Sequence, residues 1–126
     1  MQSLFDAESA EVRRWAIYLL AEARDLESVP RIRAALASTN PRERQNAVEA
    51  AATLGDHKAV PQITQLIDDA DFGVWQAALQ SLVSLRARES IPAIQARQAV
   101  VMDDDARKDY STALLALRNG SDWPAH

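Results

Sequence analysis

The sequence predicts an all-α solenoid, a stack of helical hairpins with about seven helices and a 31-residue period. Three observations carry this. The pairs Val29-Pro30, Val60-Pro61 and Ile91-Pro92 are 31 residues apart, and Trp123-Pro124 follows after 32. Ala16, Ala47, Ala78 and Tyr110 form a second column with the same step, and Ser9, Asn40, Asp71 and Asp103 a third. Between these marks the apolar residues recur at helical spacing. Self-similarity of this length belongs to arrays in which each unit buries its apolar face against its neighbours.

Seven helices are expected, four long and three short, over 9–23, 28–37, 40–54, 59–69, 71–86, 90–102 and 103–118. The lead-in places Leu4 and Phe5 over the first long helix, which turns Val12, Ala16, Leu19, Leu20 and Ala23 inward. The first short helix carries Val29, Ile32 and Leu36. In the central unit Asn40 is a good N-cap, Pro41 suits the first helical position, and Glu43 completes a capping box. Ala47, Ala50, Ala51 and Leu54 follow on one stripe, and Gly55 can take the left-handed conformation that ends a helix. Val60, Ile63, Leu66 and Ile67 line the next short helix, with Pro61 in its first turn, where a missing N–H costs nothing. The third long helix faces inward with Val74, Ala78, Leu82 and Leu85, and the last with Tyr110, Ala113, Leu114 and Leu117, before Asn119-Gly120 stops it. The chain opens on a long helix and closes where another short one would begin, which fits either natural caps or a piece of a longer array. Residues 1–126 read as one repeat domain.

The run DADFGVWQAALQSL at 69–82 resembles the pattern D-x-D-x-x-V-R-x-x-A-A-x-x-L of HEAT-like repeats, the short kind found in phycobilisome-type lyases. VRRWAIYLL at 12–20 and ATLGDHKAVPQI at 52–63 match as well, so the resemblance covers nearly the whole chain. It implies a right-handed superhelix whose long helices line a concave face, the usual place for partners. It is specific for architecture and says little of function, because the family hosts many roles. Arg13, Arg44 and Arg107 keep the family's arginine, whereas Trp75 replaces it; Glu43 stands in the valine column, and Gln98 in that of Leu36 and Ile67.

Composition narrows the function. The 126 residues are 48% hydrophobic and 25% charged, with few aromatics. With no cysteine there is neither disulfide nor thiolate chemistry. No apolar run reaches the roughly 18 residues of a membrane span, and MQSLFDAESAE lacks the basic and apolar regions of a signal peptide. A cytoplasmic protein with no membrane partner is expected. The net charge is −4, with 8 basic and 9 acidic groups in residues 1–60 and 6 and 9 in residues 61–126. Neither half is basic, which argues against a nucleic-acid partner.

Candidate chemistry is sparse. Asp103-Asp104-Asp105 and Asp68-Asp69-Asp71 could hold a cation, but they sit at helix starts, where carboxylates cap and face the positive end of the dipole. His57 stands in a corner without a second ligand at helical spacing, and reads as a solvated loop residue; His126 ends the chain. The His-Glu pairs of di-iron HEAT-repeat hydroxylases, which the fold resembles, do not occur. Two histidines leave little room for a catalytic triad, so neither enzyme activity, metal nor cofactor is expected. The Arg column reads as a structural ladder, each arginine reaching an acidic or capping residue of the adjoining unit such as Asp71 or Asp103; binding of a phosphate or carboxylate is the competing use.

The outer face of the long helices is more informative. At about 100° per residue from Val12, the core stripe falls at roughly 0–80°, and Arg14, Trp15, Tyr18 and Glu22 at roughly 200–300°. The same face holds Gln45, Asn46, Glu49 and Thr53, then Gln76, Ala77, Gln80 and Ser84, then Lys108, Asp109 and Thr112. Polar residues suit a solvated face, but Tyr18 and Trp15 suit anchors for a partner. Trp15, nearer the core edge, suits a cover for the open end of the stack with Phe5 better than an anchor. The reading that follows is a non-catalytic scaffold docking another protein on this face. Two rivals stand beside it. One is a ligand- or chromophore-handling protein, as the lyase resemblance implies, which needs a roomy apolar pocket. The other is a nucleic-acid binder, for which Glu22, Glu49 and Asp109 offset Arg14 and Lys108.

Overall fold

The computed structural model describes residues 14, 15, 19 and 29–124. Arg14, Trp15 and Leu19 are helical, within the first expected long helix. The elements that follow are α1 (Val29–Ala35), α2 (Pro41–Leu54), α3 (Val60–Gln65), α4 (Phe72–Ser84), α5 (Ile91–Val100) and α6 (Asp104–Asn119). Single 3-10 turns flank the short helices at His57–Ala59, Leu66–Asp68 and Arg88–Ser90. Every regular element among the described residues is helical, which is the all-α stack expected. No described helix is long and apolar enough to cross a membrane.

The long helices α2, α4 and α6 start at their expected caps. Asn40 accepts from the amides of Arg42 and Glu43, Asp71 from Val74, and Asp103 from Asp105 and Ala106. Asp71 and Asp103 thus serve helix starts, where anions meet unpaired N–H groups, and Asp104 and Asp105 lie in the first turn after Asp103. At the far ends, Gly55 (φ 68°) and Gly120 (φ 67°) are left-handed. Arg86 (φ 57°) takes that conformation after α4, one period beyond Gly55. The Ala87 and Arg86 amides close back on the carbonyls of Leu82 and Val83, as the Asp56 and Gly55 amides do on Ala51 and Ala52. The column therefore fixes a backbone shape rather than a residue type, and a side chain there costs about 1–2 kcal/mol.

The short helices are shorter than the hydrophobic pattern suggests. The second, expected over 59–69, narrows to α3 between two 3-10 turns. Its last amides use i−3 acceptors, as where Asp69 donates to Leu66, because the chain must turn into the Asp71 cap. Short, tight turns at helix ends are the usual result.

The small-residue column sits where the long helices meet. Ala47 and Ala78 are 0% exposed, and α2 and α4 make the most extensive helix packing among the described residues. The Ser81 hydroxyl lies 3.4 Å from the Val48 carbonyl, so the backbones approach closely. Ala77, expected on the outer face, is buried. The reason is that α4 packs against both α2 and α6, and a helix flanked on two sides buries more than one stripe. Leu19, expected inward, is 45% exposed. It lies one turn after exposed Trp15 on the same side of the helix. Val12, Ala16, Leu20, Ala23, Leu4 and Phe5 lie outside the described residues.

Tyr110 is the large member of the alanine column and is buried. Its hydroxyl donates to the Ile67 carbonyl, and its ring stacks on Trp75 at 5.6 Å and 12°. Trp75 in turn meets Phe72 edge-on at 5.0 Å. The missing arginine of the third unit is thus replaced by an aromatic stack. Burial pushes the Tyr110 hydroxyl above the ordinary phenol value, opposed by the neighbouring Arg97 charge.

Polar ties join successive units. Arg33 grips Asp56 through two hydrogen bonds of 2.7 and 2.6 Å. One period on, Thr64 and Ser90 share a hydroxyl bond of 2.8 Å. His57 is not a merely solvated loop residue. Its ring nitrogens lie 3.0 Å from the carbonyls of Gly55 and Leu85, tying one corner to the next.

Candidate functional site

Of the residues expected on the outer face of the long helices, Tyr18 and Glu22 lie outside the described residues. The rest divide into three groups. Gln45 and Glu49 hold each other at 3.2 Å along α2. Gln76 of α4 reaches Asp109 of α6 at 3.5 Å, and Lys108 pairs with Asp105 at 3.8 Å. Gln80 is exposed. The hydroxyls of Thr53 and Thr112 bond back to carbonyls of their own helices, so they present methyls rather than donors.

The third group forms a recess. Arg14, Trp15 and Asn46 line it together with Arg42, and its volume is about 330 Å³. Asn46 lies one turn after Arg42, so α2 shows the pair on one side while the first long helix supplies Arg14 and Trp15. Trp15 is 59% exposed. Among the described residues the buried Nε of Arg14 has no hydrogen-bond partner. Arg42 was not among the residues expected here. Its angle, about 260° on the same wheel when counted from Glu43, the equivalent of Val12, puts it on the outer face, so the wheel was a signal that could have found it. Close by, Gly73 leaves room for Gln45, whose side-chain oxygen would collide with a Cβ at that position.

The expected arginine ladder has one well-made rung among the described residues. Arg44 donates to both oxygens of Asp69 at 2.9 Å and to the Ser38 carbonyl at 2.8 Å. The acceptor is Asp69 rather than Asp71, and the Asp71 amide also donates to Asp69 at 2.9 Å. Burial works to raise the Asp69 carboxyl, but the Arg44 hydrogen bonds, the Asp71 amide and the Arg44 charge outweigh it and hold it below the ordinary value. Arg107 is exposed, and Arg13 lies outside the described residues.

A second recess, of about 440 Å³, opens between α3 and α5, on the short helices rather than the long ones. Ile67, Ala93, Ala96 and Val100 are its apolar lining, joined by Thr64, Gln65, Asp68 and Arg97.

A family model of HEAT repeats matches residues 1–83 and again 32–118. The chain is a HEAT-repeat protein. The two matches begin one repeat period apart, as an array of equal units requires. None of the curated proteins compared matches this HEAT-repeat chain. Among solved structures it is similar to the complex of CpcE and CpcF of phycocyanin lyase from Nostoc sp. PCC7120, at 24% identity and a TM-score of 0.72, over 89% of this chain and 51% of that one. It is also similar to an engineered protein, at 21% identity and a TM-score of 0.68, over 98% of this chain and 63% of that one. At these identities the likeness carries the fold. The chain spans between half and two thirds of the length of these two structures.

Proposed function

We propose that this HEAT-repeat protein is a non-catalytic scaffold that holds a segment of another protein against the outer face of its long helices. The observation that supports it is the recess that brings Arg14, Trp15 and Asn46 together with Arg42. An exposed tryptophan beside guanidinium and amide groups is the composition of a binding anchor, since it offers large area with little rotamer freedom to lose. The remaining residues of the face, Gln45, Glu49, Gln76, Gln80, Lys108 and Asp109, form its polar continuation, with Tyr18 and Glu22 as further expected members. In this reading residues 1–126 act as one repeat domain in the cytoplasm, and neither nucleic acid nor membrane is the partner.

Photo-crosslinking residues placed at Asn46 and Gln80 test this against Gln62 and Gln95, exposed on the short helices. Adducts with another protein are expected from the long-helix positions. Adducts from the short-helix positions alone, or equally from both, would overturn the reading.

A second reading is chromophore handling. The likeness to a phycocyanin lyase complex and the apolar recess between α3 and α5 favour it. Mixing the protein with a bilin and recording the visible spectrum tests it. A shift lost on Ala93→Trp, which fills that recess, would support it; an unchanged spectrum would remove it.

A further inference from the structure

The chemistry of the long-helix recess says what kind of segment it takes, given the scaffold reading above. Its lining carries two guanidinium groups, and among the described residues no carboxylate lines it. That is a local reversal in a chain whose net charge is −4. Of the two acidic side chains of α2, Glu43 is buried and Glu49 is engaged by Gln45. Among the described residues the buried Nε–H of Arg14 has no acceptor. A buried donor left unpaired is costly, and a guanidinium fork matches the two oxygens of a carboxylate. Beside it Trp15 offers an aromatic wall, and Asn46 offers an amide that both donates and accepts, which suits a peptide group more than a bare ion. The volume of about 330 Å³ is that of a small ligand site and admits a few side chains.

We infer that the recess lined by Arg14, Trp15, Arg42 and Asn46 binds the side-chain carboxylate of an acidic peptide segment. Arg14 takes the carboxylate, Arg42 adds charge at the rim, and Trp15 packs along the segment's aliphatic stem. Charge sets the orientation and speeds encounter, while the tryptophan limits escape.

The test is a titration of the intact chain with an acetylated, amidated hexaglutamate peptide. Nitrogen-resolved NMR follows the arginine Nε–H and tryptophan indole signals. The signals removed by Arg14→Gln and Trp15→Phe identify the two residues. Both are expected to shift with hexaglutamate and to stay in place with hexaglutamine. Arg42→Gln, at an exposed position, should weaken binding about tenfold, and so should Arg14→Lys, which keeps the charge but loses the fork. Arg88→Gln, exposed and far from the recess in the fold, should bind as the parent does. Equal shifts with hexaglutamine would overturn the inference, as would shifts with inorganic phosphate and none with hexaglutamate. Long-helix crosslinks together with a silent hexaglutamate titration would overturn this inference and leave the scaffold standing. Crosslinks confined to the short helices would remove both.

Discussion

Arg44 reaches three acceptors at once, both carboxylate oxygens of Asp69 and the carbonyl of Ser38. The two side chains are 18% and 10% exposed, so the pair is shielded from water and salt more than a surface bridge is. Arg44 in α2 thereby holds the corner before it and the segment that leads into α4. The folded state keeps the Asp69 carboxyl below its ordinary value. Stability from this group is therefore complete above the unfolded value of about 3.9 and is lost as pH falls through the lower, folded value. Urea titrations between about pH 5 and pH 2 should show that loss. Asp69→Asn should flatten part of the slope and cost about 1–3 kcal/mol at neutral pH, because Arg44 and the Asp71 amide lose a charged acceptor. An unchanged slope in the variant would assign the acid sensitivity to other carboxylates. Trp75 shows the alternative solution at the same repeat position. There the polar grip is replaced by stacking on Tyr110, which needs no charge and no acid-sensitive partner.

At the scale of helices, the alanine column sets how closely α2 and α4 approach. Ala47 is fully buried in the joint, so Ala47→Leu adds three heavy atoms where no space exists. A cost of about 1–3 kcal/mol is expected, read as a lower thermal midpoint. An unchanged midpoint would mean that the joint is looser than the packing implies. The helices, their caps and this joint were legible because each depends on local chemistry: Asn40, Asp71 and Asp103 at the starts, Gly55 at a stop, alanines at the crossing. Arg86 was not legible as a left-handed stop, since nothing in an arginine announces that conformation; only the period places it under Gly55. The 3-10 turns around α3 were not legible either. An i−3 and an i−4 bond suit the same apolar spacing, and the turn into the next cap decides between them. Of the candidate site, the face was readable by angle, and Trp15 and Asn46 with it. The recess itself was not, because it forms where two helices meet.

Across the whole molecule the described units behave as a one-dimensional array, each tied to the next by packing and by a few side-chain bonds. Arg33–Asp56 and the His57 bridge lie at the corners, and Tyr110 reaches back from α6 to the carbonyl of Ile67 in the 3-10 turn after α3. Tyr110 thus fastens the last long helix to the turn that closes the central unit, two units back. Tyr110→Phe keeps the ring stack with Trp75 but leaves the buried Ile67 carbonyl without that donor, at a cost of about 1–3 kcal/mol. In an array coupled through neighbours, that loss should be spent locally. Hydrogen exchange should quicken in α6, in the Leu66–Asp68 turn and in the amide of Asp69, while α1 and the first half of α2 keep their protection. Arg33→Ala should do the reverse, loosening the Gly55 to Ala59 corner and α1 and leaving α6 alone. The two changes lie far apart and share no partner, so their effects on the urea midpoint should add within about 0.5 kcal/mol. Uniform loss of protection from either variant would mean that the array unfolds as one unit, with cooperativity that the corner ties alone do not supply. Additive midpoints with local exchange would mean that the C-terminal units can be reshaped without disturbing the recess at the other end.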